Sequence, residues 1–107
     1  MKRYGMVVKV RPGTLERYKL LHSNVWPDVL KMTKLCNITN YSIYQKDDVM
    51  FSYFEYIDEG FDADMAKMAA DPITQKWWDE CKPCMIPLES RAEGQFWANM
   101  EEVFHCE

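Results

Sequence analysis

Tyr18, His22 and the Trp26-Pro27 pair stand at four-residue intervals in the run YKLLHSNVWP, and His22 is one of only two histidines in the chain. An unperturbed imidazole titrates near pH 6.5, so it can give and take protons at cellular pH. Residues four apart share one face of an α-helix, so Tyr18 and His22 are expected side by side. Tyr41, expected on a central strand, can point towards that same helix. Three polar-tipped groups meeting in an interior are costly unless they satisfy one another or a ligand. The spacing alone leaves two readings of His22: a core histidine bonded to a neighbour, or a proton carrier in a site.

Trp77-Trp78 is the second chemical feature. Adjacent helical residues diverge by about 100°, so at most one indole faces squarely inward. The pair reads either as core plus interface or as a sugar platform, where pyranose C–H faces pack on indole and its N–H donates. Cys81 and Cys84 form a C-x-x-C around Lys82-Pro83. In thiol-redox proteins such a motif sits at a helix N-terminus, which lowers a thiol's pKa; here it falls at a helix end, where the dipole opposes that. No second C-x-x-C completes a zinc site, and His105 and Cys106 would have to reach it from the far end of the chain. No metal is expected. The four glycines are isolated, so no phosphate-cradling loop is expected either.

The elements that must position these groups follow from periodicity. Tyr4, Met6, Val8 and Val10 alternate with Gly5, Val7 and Lys9, as in a strand. After RPGT, with Thr14 as a candidate cap, Leu15, Tyr18, His22, Val25 and Val29 form one helical stripe, which Pro27 kinks or splits. Ile38–Gln45 and Val49–Ile57 read as a hairpin turning at Lys46-Asp47-Asp48. Phe61–Ala70 reads as a helix, restarted by Asp71-Pro72 as cap and first residue and ending before Pro83. The CMIPLESRAEGQ segment reads as an extended, exposed loop, and Phe96–Phe104 as a last strand. The order is β-α-β-β-α-β, an α+β ferredoxin-like fold with helices on one face of an antiparallel sheet. The other sheet face carries Met, Tyr, Phe and Trp, which predicts a homodimer packed sheet to sheet.

At 107 residues the chain is expected to be a single domain, 1–107. A net charge of −4 argues against nucleic acid as partner. No apolar run approaches the ~20 residues that span a bilayer, and MKRYGMVVKVRP does not read as a signal peptide, so no membrane is expected. The cytoplasm is the expected location, with the four cysteines reduced.

Tyr18-x3-His22-x3-Trp26-Pro27, then NYSIY at 40–44, Glu55, Trp77-Trp78 and EEVF at 101–104 together resemble the L-rhamnose mutarotase family over nearly the whole chain. Two positions depart from its pattern, Asn24 where a proline is expected and Asn37 where glycine is usual, and the loop 83–94 matches poorly. The resemblance implies a dimeric α/β barrel that interconverts the α and β anomers of a monosaccharide, L-rhamnose, without metal or organic cofactor. It implies His22 as proton donor and Tyr18, Tyr41, Trp77 and Trp78 as sugar-binding residues. The alternatives are a mutarotase for another pyranose such as L-fucose, a small dimeric monooxygenase, with or without heme, and a non-enzymatic module, either a dimerising scaffold or a small-ligand binder.

Overall fold

The computed structural model describes all residues 1–107. Its elements run β1 (Lys2–Val10), α1 (Leu15–His22), α2 (Pro27–Leu35), β2 (Ile38–Lys46), β3 (Val49–Tyr56), α3 (Phe61–Ala70), α4 (Pro72–Cys81), β4 (Met85–Ile86) and β5 (Ala98–Met100). The sheet is antiparallel in the order β2-β3-β1-β4, with β5 also paired to β1. This is the ferredoxin-like order, its last strand broken into two short pieces along β1.

Pro27 splits the long stripe into two helices, as its missing N–H and fixed φ require. Trp26 is extended (φ −59°, ψ 132°) and Pro27 opens α2 as its first residue. Thr14 stands at the start of α1 but does not cap it. Its hydroxyl donates instead to the Arg11 carbonyl at 2.7 Å, back across the turn where Gly13 takes a φ of 82°. Asp71 does cap α4, accepting from the Thr74 backbone N–H at 2.9 Å and from its hydroxyl at 2.8 Å. Asn37 ends α2 in the left-handed region (φ 65°), a conformation asparagine tolerates. Its amide bridges Asp64 at 2.9 Å and Asp58 at 3.2 Å, and the Tyr56 hydroxyl donates to the same Asp64 oxygen. These bonds tie the start of β2 to α3.

Four expectations are corrected. Tyr41 lies on β2, which is an edge strand and not a central one. Cys84 and Met85 are buried, not part of an exposed loop, because the Cys84 carbonyl accepts from the Arg11 N–H at 2.9 Å and Met85 pairs with Val10. The last strand spans Ala98–Met100 alone, and residues 101–107 have no regular structure. The hairpin turn is the two residues Asp47-Asp48, with Asp47 at φ 53°.

Val8, Val10, Met50 and Met85 from the sheet pack against Tyr18, Val29, Trp77 and Cys81 from the helices. Each fully buried aliphatic side chain contributes about 1.5–3 kcal/mol. Only 16 of the 107 residues are buried, because helices cover one sheet face and leave the other open. On that open face Tyr44, Val49, Phe51 and Met100 are exposed.

Candidate active site

His22 is the last residue of α1, and its ring folds back over the preceding turn, where its neighbours hold it from two sides. Its Nδ1 lies 2.9 Å from the Tyr18 carbonyl oxygen. A carbonyl only accepts, so Nδ1 carries the proton of the neutral ring and Nε2 carries the lone pair. The Tyr18 ring stacks on the imidazole, with centroids 4.1 Å apart and planes 23° apart. Trp77 meets it edge-on at 5.1 Å, and Trp26 backs Trp77 at 5.2 Å. Burial lowers the His22 pKa, and the bond to the Tyr18 backbone only partly offsets this. At neutral pH the ring is therefore a neutral base with Nε2 free.

A cavity of about 480 Å³ opens between α2, α4 and β2, lined by His22, Tyr41 and Trp77 together with Val25, Val29 and Ile38. Seven of its twelve lining residues are hydrophobic, so most of its wall suits C–H surface while His22 and Tyr41 bring polar groups. A second cavity of about 310 Å³ lies on the other side of His22 and is lined by Tyr18, Lys19 and Gln45. His22 and Ile43 border both.

Tyr41 reaches the larger cavity through a bulge. Thr39 pairs with Glu55 and Ser42 with Tyr53, so Asn40 and Tyr41 together face the single residue Phe54. Asn40 takes φ 49°, and the Tyr41 ring meets Phe54 edge-on at 5.7 Å. Tyr41 is 47% exposed as a whole residue, and burial around its phenol pushes it up to about 12. Burial also raises the Tyr18 phenol, with Tyr41 as the next cause, so both phenols stay neutral at neutral pH.

The expected residues thus separate. His22, Tyr41 and Trp77 meet in one cavity, and Tyr18 supports the His22 ring from the second. Trp78 lines neither cavity. It lies on another flank of α4, where Lys82 sits between its ring and that of Phe96, 5.2 Å from each centroid. Cys81 and Cys84 are buried, and burial pushes the Cys81 thiol up to about 12, away from redox reactivity. No three His, Cys, Asp or Glu side chains converge as metal ligands would.

Asn40 and Glu55 enter the sequence reading only through the family pattern, without a site role, and Ser52 does not enter it. Asn40 carried a signal, since asparagine is depleted in strand interiors and marks irregularity there. Ser52 is 1% exposed, its hydroxyl makes no hydrogen bond within the protein, and it pairs with Ile43, the residue between the two cavities. Nothing in the strand pattern distinguished it.

A family model for L-rhamnose mutarotase matches residues 3–106. This chain belongs to the L-rhamnose mutarotase family. Mutarotases are isomerases acting on carbohydrates. Its relatives include the L-rhamnose mutarotases of Listeria monocytogenes, 36% identical with 98% of each chain covered, and Oceanobacillus iheyensis, 32% identical over the full length of both. Among solved structures it is similar to L-rhamnose mutarotase FA22100 from Formosa agariphila, with a TM-score of 0.79, 23% identity and both chains wholly covered. It is also similar to tetracenomycin F2 cyclase from Streptomyces glaucescens, a type-II polyketide cyclase, with a TM-score of 0.75, 13% identity and 100% and 98% of the two chains covered. These two likenesses speak for the fold alone, which carries more than one chemistry. In this chain His22 lines a cavity of about 480 Å³, within the size of small-molecule sites, about 300–1,000 Å³.

Proposed function

We propose that the protein interconverts the α and β anomers of L-rhamnose, with His22 moving the proton at the anomeric oxygen. The observation that carries this reading is the fixed tautomer of His22 beside the cavity: Nδ1–H bonded to the Tyr18 carbonyl, Nε2 left with its lone pair. Ring opening removes the proton from O1, forms C1=O, breaks C1–O5 and protonates O5. Neutral His22 takes the O1 proton at Nε2. The Tyr41 phenol, kept neutral by burial, gives its proton to O5. Rotation about C1–C2 presents the other aldehyde face, and reclosure returns one proton to Tyr41 and one from His22 to O1. The cycle consumes no net proton. General acid–base help of this kind contributes typically about 10²–10⁴-fold.

The remaining residues bind and orient. Trp77 offers an indole wall for sugar C–H groups, and Tyr18 holds the imidazole plane by stacking. Trp78, implied by the family resemblance as a sugar contact, would act from beside Lys82 and Phe96 at the rim. The aliphatic wall of Val25, Val29 and Ile38 suits the methyl group of a 6-deoxy sugar. The open sheet face supports a homodimer, since Phe51, Tyr44 and Met100 on one protomer would be covered by the same residues of another. We place the protein in the cytoplasm, where its four free cysteines, three of them buried, fit a reducing compartment. No helix is long and apolar enough to cross a membrane.

Saturation-transfer NMR on L-rhamnose, L-fucose and L-mannose tests the reading. L-rhamnose should exchange fastest. L-mannose, which adds a hydroxyl at C6, should lag by no more than roughly a hundredfold, the limit for an apolar pocket rejecting one hydroxyl. Exchange of all three at the uncatalysed rate would sink the enzyme assignment, and fastest exchange of L-fucose would change the sugar.

A further inference from the structure

Strand alternation alone puts Tyr41 on the wrong side of the sheet. Ile38 is buried under the helices opposite Tyr56. Counting onward by twos, Asn40 would follow it inward and Tyr41 would face the open side. The bulge shifts the register by one, which exchanges the faces of every residue after it. Tyr41 and Ile43 turn to the cavity, and the Asn40 side chain turns to the open face.

On that face the asparagine is held. Its Nδ2 donates to Glu55 Oε1 at 2.7 Å, and the Tyr53 hydroxyl donates to Glu55 Oε2 at 2.7 Å, so both carboxylate oxygens are engaged. Charge-assisted bonds of this length are the stronger kind. Arg3, in a bidentate pair with Glu102 at 2.8 and 3.3 Å, adds positive charge near the same carboxylate. Glu55 is itself anchored on β3, directly across from Thr39, the last regular pair before the bulge.

We propose that Glu55 and Asn40 are positioning residues of the active site: their hydrogen bond locks the β2 bulge in the register that turns Tyr41 into the sugar cavity. Asparagine suits the position twice over, tolerating a φ of 49° and donating sideways to the carboxylate. If the bulge relaxes, the amide goes under the helices without its partner and the Tyr41 hydroxyl leaves the cavity. The effect on catalysis rests on the reading of Tyr41 as a sugar contact; the effect on geometry does not.

The two are separated by one set of variants. With tyrosine labelled at ring carbon ζ, the Tyr41 resonance reports its ionisation. In the wild type it should stay neutral near pH ~10.5, where an ordinary tyrosine is mostly ionised. In Glu55→Ala, and in Asn40→Gly, which keeps the left-handed backbone but lacks the amide, Tyr41 should titrate close to the ordinary value of about 10. Glu55→Gln can still accept from Asn40 and should retain the wild-type titration. Anomer exchange should fall roughly tenfold to a hundredfold in Glu55→Ala, the scale of a side chain misplaced by an ångström. In a Tyr41→Phe background the same change should cost less than about twofold, because both act through one group. Unchanged Tyr41 titration in both Glu55→Ala and Asn40→Gly overturns the proposal. A Tyr41→Phe protein with the wild-type rate removes Tyr41 from the chemistry and leaves the titration to decide the positioning.

Discussion

His22 Nδ1 lies 2.9 Å from the Tyr18 carbonyl one helical turn earlier, and the two rings stack at 4.1 Å. One residue thus fixes both the tautomer and the plane of the imidazole. The backbone bond survives any side-chain change at Tyr18, whereas the stack needs an aromatic ring. Tyr18→Phe should therefore keep anomer exchange within about tenfold of wild type, while Tyr41→Phe, which removes a proton donor, loses roughly tenfold to a hundredfold. Tyr18→Ala should in addition cost about 3–5 kcal/mol of stability, as truncation of buried aromatics does. Exchange rates and urea midpoints of the three variants check this. Equal losses in the two phenylalanine variants would contradict the division of roles.

The pH dependence follows from the burial of His22. Its folded pKa lies below the ordinary 6.5, so the unfolded chain binds the proton more readily. That contribution to stability is complete above about pH 6.5 and is lost as pH falls through the lower folded pKa. The ring is partly exposed, so solvent screening keeps the loss small. Between about pH 7.5 and pH 5, the urea midpoint of the wild type should fall more than that of His22→Gln. The exchange rate should fall over the same range, because protonation removes the free Nε2. Parallel midpoints would show that His22 carries no shift.

Asp71 gives a control that touches no part of the site. Asp71→Ala removes the only side-chain cap of α4 and should cost about 1 kcal/mol by urea unfolding. Its exchange rate should remain that of the wild type, since Trp77 lies in the second turn of α4, away from the capped end. A loss of rate without loss of stability would mean that α4 moves in catalysis.

Phe51 and Tyr44 test the open sheet face. Sedimentation equilibrium should give twice the 12.7 kDa of one chain, and Phe51→Lys should shift the population to monomer by placing a charge in the interface. A wild-type protein that sediments as a monomer at micromolar concentration contradicts the dimer.

What the sequence conveyed depended on how local the cause was. Tyr18 beside His22 follows from helical geometry, and Asp71-Pro72 from capping chemistry, both within four residues. The helix break at Pro27 has the same local origin. Tyr41 is expected to point towards the His22 helix and lines one cavity with His22, but it gets there through a bulge whose asparagine bonds Glu55 across the strand, a non-local cause that strand alternation does not carry. Trp78 is implied as a sugar contact by the family resemblance alone, and the helical rotation that lets at most one indole face inward sends it to Lys82 and Phe96. Cys84 and Met85 looked like loop because their pairing partner, Val10, lies far away in sequence. Val103 and Phe104 alternate as a strand would, yet they are 90% and 80% exposed and pair with nothing in the protomer.

Catalysis turns on proton transfer to and from the free Nε2 of His22, and saturation-transfer NMR of L-rhamnose with His22→Gln tests it most directly. Glutamine keeps a side chain of similar reach in the cavity but cannot shuttle a proton near neutral pH. With circular dichroism unchanged from wild type, the enzyme-dependent exchange rate should fall by roughly 10²–10⁴-fold. A folded His22→Gln protein that exchanges the anomers at the wild-type rate would contradict the account.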